Sequence, residues 1–191
     1  MILPTTSSLA LKEWSVAVDA LGMGNQIILI RKGGIHREDR EFRIIHHQFL
    51  MFPTYEHQRK ELIKNRYHKN LDRSDIQSKP ENLVTLSYWS TVTDTFEVRD
   101  ENTLHKLSRH HIWTSDYASK RLHWRPKHAL TVLLLRVFKL HDPVTLPILD
   151  KYAGCKSWVN LNQEAELKNP IPVLDKNAYQ QKSDPIKKIL V

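Results

Sequence analysis

Cysteine and glycine are scarce in this sequence, and each scarcity excludes a class of site. The single cysteine, Cys155, cannot form an intrachain disulfide, and zinc sites built from several cysteines are excluded. This cysteine content is typical of a reducing compartment, so we expect a cytoplasmic protein. With only five glycines, the chain has no phosphate-binding loop of the G-x-x-x-x-G-K-[ST] type and no glycine-rich repeat.

Long apolar runs and metal-ligand spacings are also missing. No apolar run reaches the roughly 18 residues that a membrane-spanning helix needs, so we expect no membrane partner. The histidines form neither an H-x-x-x-H pair nor an HExxH motif. The adjacent pairs His46-His47 and His110-His111 diverge on a strand and point about 100° apart on a helix. We therefore expect neither a metal site nor another cofactor.

Positive charge, in contrast, is abundant and concentrated. Lys and Arg number 29 against 21 Asp and Glu, which gives a net charge of +8 with neutral histidines. Residues 31–73 and 105–128 together carry +10 and hold ten of the eleven histidines, whereas the rest of the chain sums to −2. A basic field confined to two segments predicts a polyanionic partner, most often DNA or RNA. A solvated basic surface without a partner is the alternative.

Hydrophobic periodicity predicts an α+β fold with a mostly antiparallel sheet, either curved or closed into a small β-barrel, and flanking helices. The clearest pattern is the alternation over 83–98, which predicts a long strand bent near Ser90 or Asp94. Residues 1–161 are expected to form one domain, and the polar, proline-containing segment 162–191 a loosely packed or disordered tail. The predicted helices cover 7–22, 56–67, 101–113 and 115–124, and the predicted strands cover 26–32, 41–52, 83–98, 129–140 and 152–161.

Basic and aromatic side chains interleave in two stretches, FPTYEHQRK at 52–60 and the segment 113–127. Nucleic-acid binding needs basic groups for phosphates and aromatic rings for bases. Thr54 and Glu56 are explained as the start of a helix, but the three residues Tyr55, His57 and Gln58 are not, so we predict that they contact a base. The predicted phosphate contacts are Arg31, Lys32, Arg59, Lys60, Arg121 and Arg125, and the predicted stacking residues are Trp89, Trp113 and Trp124.

Other interpretations stay open, although the sequence favours binding over catalysis. Asp39 followed by Gln58-x-Lys60 fits loosely the Mg²⁺-dependent nucleases of the restriction-enzyme type. Cys155 beside Lys156 is either an activated nucleophile or a buried structural thiol. A protein-interaction subunit would instead present an exposed apolar patch.

Five short motifs resemble an uncharacterised bacterial family, domain of unknown function 1802. They are RKGG at 31–34, FPTYEHQ at 52–58, HIWT at 111–114, LLLRVFKL at 133–140 and GCKSWV at 154–159. The resemblance covers roughly residues 9–161. It implies a tie to restriction-modification, with a restriction-endonuclease-type protein as a partner.

A second resemblance concerns the fold. The stretch DALGMGNQIILIRKGG is similar to the opening of PUA-like domains of the ASCH and EVE kind. This resemblance implies a small barrel that binds RNA or modified DNA bases in a pocket between barrel and helices. The sequence departs from the ASCH signature G-x-K-x-x-E-x-R, because Gln26 stands in place of the lysine and Leu29 in place of the glutamate.

Overall fold

A seven-stranded sheet and the helices packed on it make up the protein. The computed structural model describes residues 4–32, 46–55, 58–71, 82–124, 127–154 and 156–191. The strands are β1 (Thr6–Trp14), β2 (Ile28–Arg31), β3 (Gln48–Thr54), β4 (Leu83–Val98), β5 (Leu130–Pro147), β6 (Trp158–Glu166) and β7 (Ile171–Pro172). The main helices are α1 (Ser15–Gly22), α2 (Glu101–Leu107), α3 (Ser115–His123) and α4 (Lys176–Leu190).

The sheet is mixed and strongly curved. Its order is β2-β5-β4-β3-β1-β6, with β7 also pairing with β5. Only β1 and β3 run parallel among the described pairs, which confirms the predicted α+β fold with a mostly antiparallel sheet. Arg31 at the end of β2 nevertheless contacts Glu13 at the end of β1, although three strands lie between them in the sheet order. Within the described strands β2 and β6 do not pair, so the sheet curls without closing into a barrel.

The long antiparallel pair β4–β5 is the most extensive strand pairing in the described sheet, and the sequence predicted β4 with its observed bounds. The pairing shifts register between Leu86 and Tyr88 and again between Val92 and Asp94. Register shifts of this kind bend a strand and increase its twist. The second shift lies at one of the two positions where the alternation was interrupted.

The predicted helix at 7–22 is wrong in its first half. Residues Thr6–Trp14 form β1, which lies between β3 and β6, and only Ser15–Gly22 is helical. The neighbouring residues Ala10 and Leu11 are both fully buried and belong to different core clusters, so both faces of β1 are covered at this point. Apolar residues on such a strand need not alternate and can mimic helical spacing. Gly22 is required for close packing, since a Cβ there would lie 2.1 Å from the Tyr88 ring, whereas Gly24 takes the left-handed backbone conformation with φ of 67°.

The predicted helix at 56–67 is also wrong within the described residues, which exclude Glu56 and His57. Two short 3₁₀ turns at Lys60–Leu62 and Asn65–Tyr67 flank an extended residue, Ile63, which forms a β-bridge with Trp113. The bridge requires an extended backbone at Ile63, so a continuous helix cannot form. Tertiary pairing overrides local helix propensity here.

The segment 162–191 differs from the loosely packed tail that its composition suggested. Residues up to Glu166 belong to β6, and α4 packs its Ile186 into the main core. Lys187 forms an ion pair with Asp94 at 2.7 Å, which ties α4 to β4. Polar residues dominate this segment because α4 is amphipathic and buries only one narrow face.

Candidate nucleic-acid interface

The two basic segments found in the sequence lie side by side in the structure. The Ile63–Trp113 bridge joins them, with Lys64 N donating to Ile112 O at 2.9 Å and Thr114 N donating to Leu62 O at 3.0 Å. This pairing brings basic side chains from both segments close to one another. We call this group of side chains the basic face and define it by Lys64, Arg66, Arg109, His110 and Lys182.

The side chains of the basic face lie close enough to change one another's pKa. Burial, followed by the charges of Arg109, Lys182 and Lys64, lowers the pKa of His110. Burial and the neighbouring charge of Arg66 lower the pKa of Lys64 to about 8. Lys182 belongs to α4, so three separate parts of the chain contribute to the basic face. Positive groups that destabilise one another in this way favour a bound polyanion.

Lys64 holds the basic face together, and the arginines are available to a ligand. Its Nζ donates to the carbonyl oxygens of Ser108 and, at 2.7 Å, His111. Arg66 and Arg109 are exposed, and neither forms an ion pair with a carboxylate among the residues that the structure describes. Both guanidinium groups can therefore reach phosphate oxygens.

Arg31 and Lys32 do not lie on this surface, and their burial corrects the prediction that they hold phosphates. Arg31 forms an ion pair with Glu13 at 2.7 Å, and both side chains are largely buried. Its other amino nitrogen donates to Ser157 Oγ at 2.8 Å. Lys32 is 4 % exposed, and its Nζ donates to the carbonyl of Leu122. Both cations hold sheet and helices together.

Two of the three predicted stacking tryptophans belong to the core, which corrects that part of the prediction. Trp89 is 0 % exposed and packs against Phe138 with ring centroids 5.3 Å apart. Trp113 is 3 % exposed and lies 5.0 Å from the Trp14 ring and 4.7 Å from the Tyr117 ring. A base cannot stack on rings that are covered on both faces.

The remaining predicted contacts are accessible to different degrees and stay predictions. Trp124 is 49 % exposed, at the end of α3. Arg59 and Lys60 are exposed just before the bridge, and Tyr55 is half-buried. Arg121 lies over the Tyr117 ring, 5.1 Å from its centroid. His57 and Arg125 lie outside the described residues.

Sequence reasoning missed the residues that define the basic face. Residues 31–73 and 105–128 already included four of the five, but selection by neighbouring aromatic residues passed over Arg66 and Arg109. Lys182 was missed because it lies in the segment taken for a tail. No local signal in the sequence reveals the pairing between residues 62–64 and 112–114.

Gln58 has a structural partner that the sequence did not suggest. Its Oε1 accepts hydrogen bonds from Ser15 Oγ at 3.1 Å and Val16 N at 3.2 Å. The residue before α1, Trp14, offers no side-chain cap, so the glutamine from a distant turn supplies it. The side-chain oxygen of Gln58 therefore accepts hydrogen bonds from α1, while its Nε2 is buried and has no hydrogen-bond partner among the described residues.

Replacing Gln58 with alanine should lower the free energy of unfolding by about 1 kcal/mol, as loss of a helix cap usually does. Gln58→Glu keeps an acceptor for the same two donors and should lose less. Urea unfolding of both variants measures the difference. Equal losses in the two variants would contradict the capping role.

Gln26 and Leu29, the two residues that differ from the ASCH signature, lie in the core. Gln26 is buried, its Oε1 accepts from Ile112 N at 2.9 Å, and its Nε2 donates to Ile28 O at 3.1 Å. Leu29, in place of the signature glutamate, is fully buried. Both side chains therefore contribute to folding rather than to a polar site.

Two further findings concern metals and membranes. Among the described residues, no three His, Cys, Asp or Glu side chains converge as metal ligands do. Asp39 and Cys155, which the nuclease and nucleophile hypotheses invoked, lie outside those residues. None of the described helices combines the length and apolar character that crossing a membrane requires.

Comparison with known families identifies the relatives of this chain. The protein-family model described as "Domain of unknown function (DUF1802)" matches residues 10–185 of this chain. The chain belongs to the DUF1802 family. This confirms the resemblance seen in the sequence motifs, and the match extends into α4. No curated protein matches this DUF1802 chain significantly.

Solved structures similar to this DUF1802 protein include ASCH proteins from Zymomonas mobilis. The crystal structure of one is 12 % identical and has a TM-score of 0.41, with 92 % of each chain covered. A serine-to-alanine mutant of the same protein is 13 % identical with a TM-score of 0.42, covering 95 % of this chain and 96 % of the other. These are the domains that the fold-level resemblance named.

Proposed function

We propose that this DUF1802 protein is a nucleic-acid-binding module that holds phosphates on the basic face. The observation that carries the proposal is the pairing of residues 62–64 with 112–114, which brings both basic segments together. Fixed cations at one surface release counterions from a polyanion, and this release drives binding. The exposed Arg66 and Arg109 supply planar donors suited to phosphate oxygens.

We further propose which base contacts and which protein partner this module has. The exposed Trp124 and the half-buried Tyr55 are the aromatic residues that we propose to contact an unstacked or modified base. A link to restriction-modification, with a restriction-endonuclease-type partner, is supported by the family resemblance. These parts depend on phosphate binding, which is tested first.

The variant Arg66→Gln/Arg109→Gln should bind labelled nucleic acid about tenfold more weakly than the wild type. Removing two phosphate contacts should also reduce the slope of log K against log salt by about 2. Fluorescence anisotropy with single- and double-stranded DNA and RNA across a salt series, with Mg²⁺ and with EDTA, measures both quantities.

The matched control is Lys156→Gln/Lys168→Gln. It removes the same charge from exposed positions outside the basic face, one of which already pairs with Glu166. An equal loss in both double variants would mean that net charge, rather than the basic face, determines binding. Mg²⁺-dependent cleavage would replace the binding module with a nuclease, and no binding at low salt would overturn the proposal.

A further inference from the structure

Lys182 is the member of the basic face that comes from α4, outside both basic segments. After burial and Arg109, its charge is the next largest cause of the lowered pKa of His110, so the two side chains lie near each other. Helix α2 ends shortly before His110 and packs against α4, with Leu107 and Ile186 in one core cluster. The position of Lys182 on the basic face therefore depends on where α4 lies.

Apolar packing alone holds α4 over a small area. Of its fifteen residues, Ser183 and Ile186 are the two that are buried. Pro185 interrupts the hydrogen-bond ladder of the helix, because proline has no N–H to donate. An element with few buried apolar residues has a low free energy of local opening. Polar contacts therefore contribute a large share of the attachment of α4.

Two consecutive residues of β4 make these polar contacts. The hydroxyl groups of Thr93 and Tyr179 share a hydrogen bond of 2.6 Å. Asp94 Oδ1 lies 2.7 Å from Lys187 Nζ in the ion pair that ties α4 to β4. Tyr179 and Lys187 lie on either side of Lys182 in the helix. The two contacts therefore hold both ends of the part of α4 that carries Lys182.

The second register shift in β4 explains why two neighbouring side chains reach the same helix. In a regular strand, consecutive side chains point to opposite faces of the sheet. The pairing of β4 with β5 shifts between Val92 and Asp94, which leaves Thr93 without a register partner on β5. Irregularities of this kind change the direction of a side chain. The interruption of the alternation at Asp94 thus serves the attachment of α4.

We infer that Thr93 and Asp94 position α4 so that Lys182 completes the basic face, and that docking of α4 and binding of nucleic acid strengthen each other. The inference rests on the proposed function and adds how that same surface is assembled. Reciprocity follows from linkage, because a helix whose undocking lowers the affinity for nucleic acid by some factor is itself stabilised by nucleic acid by the same factor.

Asp94→Lys is the sharpest test, because helix position and net charge predict opposite results. The substitution sets a lysine against Lys187 and so weakens the attachment of α4, but it also adds two positive charges to a protein that binds a polyanion. We expect a labelled oligonucleotide to bind about threefold more weakly, with a salt slope lower by about 1, as for the loss of one phosphate contact. Asp142→Lys makes the same charge change at an exposed residue of β5 and should bind at least as tightly as the wild type.

Two further variants separate positioning from general damage to the fold. Asp94→Lys/Lys187→Asp restores the ion pair with reversed polarity and the original net charge, so affinity should return to the wild-type value. Lys182→Gln should also bind about threefold more weakly. Adding Asp94→Lys to Lys182→Gln should cost little more, because Asp94 acts through Lys182.

Hydrogen exchange of the wild-type protein tests the reciprocal effect without any substitution. A saturating oligonucleotide should slow exchange of the α4 amides by up to about threefold, the same factor by which undocking lowers affinity. Asp94→Lys should speed exchange of these amides in the free protein.

The outcomes separate the role of α4 from phosphate binding itself. Weaker binding by Asp94→Lys that the charge swap restores, together with slower α4 exchange in the complex, would support the inference. Unchanged binding by Lys182→Gln, or tighter binding by Asp94→Lys, would overturn it and leave the phosphate-binding function in place if Arg66→Gln/Arg109→Gln still binds weakly. No binding by the wild type at low salt would overturn both.

Discussion

Arg31→Met is expected to lower the free energy of unfolding by about 3–5 kcal/mol, the range for breaking a buried ion pair by removing one partner. Arg31 bridges the end of β2 to the end of β1 through Glu13, whose Oε2 lies 2.7 Å from the guanidinium. Without the arginine, the hydrogen bond from Trp14 N at 2.9 Å is the one that the largely buried carboxylate keeps among the described residues. Urea or thermal unfolding measures the loss.

A double-mutant cycle isolates the ion pair. Because Glu13→Gln/Arg31→Met leaves no unpaired charge, it should be more stable than Arg31→Met alone. The single variant, studied where it remains folded, should bind nucleic acid as the wild type does, since Arg31 lies away from the basic face. Unchanged stability together with weakened binding would contradict this assignment and restore the phosphate-contact prediction.

His111→Leu should remove a large acid-dependent loss of stability, amounting to about 2 kcal/mol between pH 6.5 and pH 4.5. In the unfolded chain this histidine takes up a proton as the pH falls through about 6.5. In the folded protein, burial and the charge of Lys64 keep it neutral until about pH 3. Between these values the unfolded state binds more protons, so falling pH lowers wild-type stability by roughly 1.4 kcal/mol for each pH unit.

The measurement compares urea unfolding of wild type and variant at several pH values between 7 and 4. All other titrating groups are shared, so the difference between the two curves reports His111. Parallel pH profiles would show that His111 titrates normally and is not buried as described.

The sequence predicted elements best where one strong pattern decides them. Strand β4 alternates over sixteen residues, and its observed bounds are those predicted. The sequence-based prediction failed where contacts with distant residues decide the conformation. In β1, for example, adjacent apolar residues on both faces are buried, which permits helix-like spacing. Ile63 is extended for the same reason, because its partner Trp113 lies fifty residues away in the chain.

The candidate site residues show the same contrast between local sequence properties, which the sequence reveals, and burial, which it does not. The sequence identified the two basic segments, since charge density is a local property. It did not distinguish a cation that faces solvent, such as Arg109, from one that pairs inside, such as Arg31. It also treated three tryptophans alike, although Trp89 is in the core and Trp124 is at the surface.

By itself, then, the sequence determined the fold class, the family, the mostly antiparallel sheet and the concentration of positive charge in two segments. Only the tertiary structure decided that these segments share one surface and that α4 adds a lysine to it. The physical reason is that charge and periodicity belong to neighbouring residues, whereas burial and pairing depend on contacts between residues far apart in the chain.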